Sequence, residues 1–159
     1  MSLDAVTYMS PTAKHLLPNV LLLGEVDRLL AEGRDVVLIP KGRSMLPFIR
    51  GGTDKVLLRK PLATALSVGD IVLARIDEGQ YVMHRIIAIA DERITLMGDG
   101  NLHGTEVVER NDVAGKVVEI ITPTGQRRKP SRGWLWRMLL PIRKYLLKIY
   151  RKWNKLKKK

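Results

Sequence analysis

Apolar and polar positions follow two different periods along this chain. Leu21, Leu22, Val26, Leu29 and Leu30 recur at helical spacing, with Pro18 placed to open the helix and Gly33 to close it. One helix is therefore predicted in an N-terminal segment, 1–34, whose first 17 residues lack such a pattern and are expected to be loosely ordered. Beyond Gly33 the pattern changes to short β-rich runs. Strands are predicted near 35–40, 54–59, 70–76, 80–90, 93–98 and 112–121. Turn signals divide them: Gly51-Gly52, Gly69-Asp70, Asp77-Glu78-Gly79 and Asp91-Glu92. The short gaps between the later strands imply antiparallel hairpins. Residues 35–121 are thus expected to form a compact, mainly β domain of mostly antiparallel strands.

Residues 122–133, rich in Pro, Gly and Thr, are expected to be a linker. After it, over 134–159, the helical period returns. Ile142, Tyr145, Leu146, Ile149, Trp153 and Leu156 fall on one face, and Arg143, Lys144, Lys148, Arg151, Lys152 and Lys155 fill the rest. This predicts an amphipathic basic helix, broken or begun at Pro141.

Charge sharpens that division. The chain of 159 residues has a formal charge of +12. Residues 126–159 hold 14 Lys and Arg and no acid, while residues 1–125 carry all 16 acids and are near neutral. Such asymmetry points to a polyanionic partner. The wide aromatic face of the tail favours an anionic membrane surface, reached through residues 134–157, over nucleic acid. Docking of the apolar face on the β domain or on another subunit is the alternative. No run of about 18 uncharged apolar residues is present, so no transmembrane helix is expected. The start, MSLDAVTYMS, has an acid where a secretory signal would have basic residues. The expected location is cytoplasmic, or peripheral at the inner face of a membrane. Cysteine is absent, which excludes disulfides, thiolate metal sites and a cysteine nucleophile.

Three segments carry groups able to act together. Ser44 follows a strand in GRSMLP, His84 lies on a strand in YVMHRIIAI, and Met97-Gly-Asp-Gly-Asn-Leu-His-Gly-Thr-Glu106 is a polar loop. A serine hydroxyl needs a base to take its proton, imidazole suits that task, and a carboxylate can orient the imidazole. Ser44, His84 and either Asp99 or Glu106 supply those parts. Taken singly, Ser44 reads as a turn residue, His84 as a core histidine and Asp99-Gly100-Asn101 as a hairpin. The spacing of His84, Asp99 and His103 fits no zinc pattern, His15 has no role, and the reading needs no metal or cofactor.

The ordered set GRSMLPFI, Gly69-Asp-Ile-Val-Leu-Ala-Arg75, His84-Arg85 and Gly98-Asp-Gly-Asn101 resembles the S24/S26 serine peptidases, which include signal peptidases and LexA-like self-cleaving repressors. The resemblance spans about residues 35–121. It implies a LexA- or signal-peptidase-like fold of coiled antiparallel sheets, with Ser44 of Ser44-Met45-Leu46-Pro47 as nucleophile. It also implies His84 as general base, since His84-Arg85 resembles the endoplasmic-reticulum type rather than the lysine type. Gly98-Asp99-Gly100-Asn101 resembles the Gly-Asp-Asn box, with one asparagine replaced by glycine. The Ser44 N–H is one candidate oxyanion donor, and Gly42 stands where signal peptidases often place an oxyanion-binding serine, so that second donor is missing or supplied elsewhere. Gly42, Met45 and Pro47 are expected to shape the site: Gly42 through close backbone passage, Met45 as groove floor or core, and Pro47 by stiffening the chain. The implied activity is that of a serine endopeptidase acting on a peptide or protein precursor. A catalytically silent binding module and a self-processing regulator are the alternatives. The latter is disfavoured because one helix before Ser44 is too little for a helix-turn-helix unit.

Overall fold

The computed structural model describes residues 7–8, 19–76 and 79–156. The expectations for residues 1–17, including His15, fall outside them apart from Thr7–Tyr8. The fold is mainly β: antiparallel strands form a curled half-barrel sheet, with one helix before it and a helical segment after it. The strands are β1 (Thr7–Tyr8), β2 (Val36–Leu38), β3 (Lys55–Arg59), β4 (Ile71–Ile76), β5 (Gln80–Ala90), β6 (Arg93–Met97), β7 (Glu106–Glu109), β8 (Val113–Ile121) and β9 (Arg127–Arg128). Their order is β1-β2-β3-β8-β4-β5-β6-β7, and β9 pairs with the end of β8. Among the described strands, only β1 and β2 pair in parallel.

The hairpins expected from the short turns are present: β4–β5 pairs Val72 with His84, and β5–β6 pairs Arg85 with Met97. Strands β1, β7 and β9 were not expected. In β7 only Val108 is buried, so its EVVE sequence lacks the long alternation of the inner strands. β9 is the charged pair Arg127-Arg128 inside the expected linker, held by backbone pairing to Ile120 and Ile121.

Alternation along the strands gives the sheet an apolar layer on each face. One layer joins Ile71 and Leu73 to Val56, Leu58, Val117 and Ile120, and to Val26, Leu29 and Leu30 of α1 (Asn19–Ala31). The other gathers Val72, Ala74, Ile86, Ile94, Leu96 and Val108. The helix predicted by the leucine spacing therefore packs into the same core as the sheet, and the Tyr81 hydroxyl donates to Asp27 at 2.9 Å to fix it to β5.

The C-terminal segment is helical in pieces: α2 (Trp134–Met138), a 3-10 turn at Leu140–Ile142 containing Pro141, and α3 (Arg143–Leu156). The apolar stripe does not dock on the β domain, as one of the expected alternatives would have it. The predicted stripe Ile142, Tyr145, Ile149, Trp153 and Leu156 is exposed, with only Leu146 half-buried. The docked face instead carries Arg143, Leu147 and Tyr150, and Arg143, expected among the solvated cations, is 2% exposed. The reason is polar: Arg143 reaches the carbonyls of Asn101 and Trp136 at 3.3 and 3.2 Å and stacks over the Trp136 ring. No described helix is long and apolar enough to cross a membrane.

Candidate active site

The Ser44 turn begins where β2 ends. Gly42 has φ +88°, in the left-handed region that favours glycine. The loop closes at its neck, where the Gly52 N–H donates to Pro40 O at 2.8 Å. There a Cβ on Gly51 would lie 2.0 Å from Gly42 O, so the crossing requires glycine. Within the loop the N–H groups of Phe48 and Ile49 both donate to Met45 O, and the Leu46–Pro47 peptide is cis. Met45 and Ile49 enter the core and anchor the turn.

The glycine-rich loop after β6 supports that turn from behind. The Gly100 N–H donates to Ser44 O at 2.7 Å. A Cβ on Gly98 would lie 2.6 Å from Ser44 O, and one on Gly100 would lie 2.5 Å from Arg43 O. The Gly-Asp-Gly-Asn sequence thus allows backbone to press on backbone at the serine. Among the described residues, no hydrogen bond is found from the Ser44 N–H.

Ser44 and His84 line the same open cavity, of about 180 Å³, with Lys41, Gly42, Met45, Ile49, Tyr81 and Met83 among its walls. No hydrogen bond joins Ser44 Oγ to His84. Of the site-shaping residues, Gly42 and Met45 are wall residues, and Met45 is at once cavity wall and core; Pro47 is not part of the wall. His103 is exposed on its loop.

The two carboxylates left open by the sequence have different partners. Glu106 Oε2 lies 2.8 Å from His84 Nδ1. Asp99 accepts from Arg85 Nε and Nη2 at 2.8 and 2.7 Å, so Asp99 is not the acid beside the imidazole. The reason is strand alternation: His84 and Arg85 are neighbours on β5 and point to opposite faces. A guanidinium matches both oxygens of a carboxylate, which an imidazole cannot. Arg85 Nη1 also donates to Gly69 O and Ser131 O, at 2.7 and 2.6 Å, and Phe48 lies against the guanidinium. Arg85 is therefore a structural node that the sequence reading passed over, and its one signal was its place beside His84.

With a proton on Nδ1 directed at Glu106, Nε2 would keep its lone pair, the form a general base needs. Tyr81 is in a different state. Burial first, and then its bond to Asp27, push its hydroxyl ionisation up, so it stays neutral at the cavity wall. Tyr81 and Lys41 were not singled out in the sequence, although Lys41 directly precedes the Gly-Arg-Ser-Met element. The tail braces the site as well: the Trp136 indole donates to Asp99 O at 2.8 Å and its ring meets Phe48 edge-on at 6.0 Å. No family model matches the chain, and no match to it was found among curated proteins.

Proposed function

We propose that the chain is a serine endopeptidase of the signal-peptidase-like type, cleaving a peptide or protein precursor with Ser44 as nucleophile and His84 as general base. The observation that supports this reading best is the shared cavity of Ser44 and His84, with Glu106 bonded to Nδ1 of the imidazole. The order of the Ser-Met-Leu-Pro, His-Arg and Gly-Asp-Gly-Asn elements, which resembles the S24/S26 peptidases, points the same way.

The chemistry follows from those groups. Ser44 Oγ bonds to the scissile carbonyl carbon as its proton passes to His84 Nε2. The carbonyl π electrons move to oxygen, where the Ser44 N–H receives the oxyanion. Glu106 remains ionised and stabilises the imidazolium. When the C–N bond breaks, the imidazolium returns its proton to the leaving amine, and an ester remains on Ser44. Water, deprotonated by His84, attacks that ester, and the carboxylic acid leaves with Ser44 restored. Ser44 and His84 are not hydrogen-bonded to each other, and a bound substrate is expected to tighten that geometry. The same open pairing is what favours a silent binding module, and one experiment separates the two. A peptide library incubated with wild-type protein, free and with vesicles, is searched by mass spectrometry for new termini. Cleavage absent from Ser44→Ala and from His84→Ala supports the enzyme. Wild-type patterns matching both variants, together with failure of a fluorophosphonate probe to label Ser44, would assign the fold a binding role.

A further inference from the structure

We propose that the exposed face of α2 and α3 is a surface for binding an anionic lipid bilayer, with α3 lying along the membrane plane. The helix has three longitudinal sectors rather than two. The docked sector, Arg143, Leu147 and Tyr150, fixes its rotation, because Arg143 and Leu147 are each 2% exposed and Arg143 is held by two carbonyls and the Trp136 ring. The second sector is the apolar stripe Ile142, Tyr145, Ile149, Trp153 and Leu156. With the first sector locked, it cannot turn inward, and Ile149 and Leu156 are 60% and 67% exposed. Trp134, Leu135 and Met138 of α2 carry the exposed apolar surface further. The third sector, Lys144, Lys148, Arg151, Lys152 and Lys155, flanks the stripe on the side away from the protein body.

Charge complementarity selects the occupant. No acid lies anywhere in residues 126–159 to neutralise these cations. A second copy covering the stripe would bring two lysine rows together, which like-charge repulsion opposes. Nucleic acid would satisfy the lysines and leave the stripe in water. An anionic bilayer satisfies both: the stripe enters the headgroup–acyl boundary while the lysine stems reach lipid phosphates. Tryptophan and tyrosine on the stripe suit that boundary, being apolar in body and polar at one edge.

This surface does not depend on the peptidase reading, and its test needs no substrate. The full chain is sedimented with phosphatidylcholine vesicles, with or without phosphatidylglycerol. Wild-type protein is expected to pellet with the anionic vesicles only, and to be released when salt shortens the screening length from about 10 Å to about 3 Å. Ile149→Glu with Leu156→Glu is expected to weaken binding about tenfold or more while thermal unfolding stays unchanged, since neither side chain enters the core. Replacing Lys148 and Lys152 by Gln is expected to weaken it in a salt-dependent manner. Absence of wild-type pelleting on anionic vesicles would overturn the proposal, as would equal pelleting of the Ile149→Glu, Leu156→Glu protein. A wild-type dimer in sedimentation equilibrium that the same pair of substitutions dissolves would assign the stripe to a second copy instead.

Discussion

Arg85 and Asp99 form a two-bond ion pair, 2.8 and 2.7 Å, with side chains only 1% and 3% exposed. The pair ties β5 to the loop that presses on Ser44 O, so a buried charge interaction helps to set where the serine turn rests. One residue earlier on the same strand, His84 takes Glu106.

Asp99→Ala would leave the Arg85 guanidinium buried with only carbonyl partners. Breaking one member of a buried pair costs roughly 3–5 kcal/mol, and a loss of that size is expected in urea unfolding. Asp99→Asn, which keeps an acceptor oxygen, is expected to lose less. A loss under about 1 kcal/mol for Asp99→Ala would mean that the pair does not organise this region.

Glu106→Gln separates orientation from folding. Glu106 is at the partly exposed start of β7, so stability is expected to change by about 1 kcal/mol or less. Its effect on His84 is larger, because a neutral amide neither fixes the tautomer nor stabilises the imidazolium. A fall of about 100-fold or more is expected in turnover, or in Ser44 acylation by a fluorophosphonate. An unchanged rate would remove Glu106 from the mechanism.

Two glycine substitutions should act in opposite directions. Gly100→Ala would force a Cβ to within 2.5 Å of Arg43 O, a backbone atom with little freedom to move. It is expected to cost about 1–3 kcal/mol and to slow Ser44 labelling in parallel. Gly24 lies within α1 with open space where a Cβ would go. Gly24→Ala is expected to stabilise the protein by about 0.5–1 kcal/mol, with labelling unchanged.

Tyr81 makes stability fall at alkaline pH. Burial and the Asp27 bond raise its folded-state ionisation above the unfolded value of about 10. The folded chain therefore holds the phenol proton more tightly, and the stability from this group is fully present below the unfolded value. It is lost as pH rises through the higher folded value. The advantage of wild type over Tyr81→Phe in urea unfolding should hold steady up to about pH 9 and shrink as pH rises beyond about 10. A constant difference across that range would show that the bond to Asp27 does not matter.

Local pattern alone determined the helix over α1, the strands β2 to β6 and β8, the hairpin turns and the polarity of the tail. Each has enough residues for its period to show: leucines at helical spacing in α1, and turn residues between apolar runs along β4 to β6. The same pattern brought Ser44, His84 and the Gly-Asp-Gly-Asn loop forward as one group. Tertiary structure decided the rest. Strand β9 has no pattern of its own, because two arginines become a strand only when β8 offers backbone partners. Glu106 and Asp99 are equally acidic in sequence, and strand alternation assigned one to His84 and the other to Arg85. Ser44 and His84 reach one cavity only through closure of the 42–51 loop over β5, a long-range contact. The tail shows the division most directly. Its helical period displays an apolar stripe, but the face that docks was chosen by Arg143, whose carbonyl partners on Asn101 and Trp136 exist only in the folded chain.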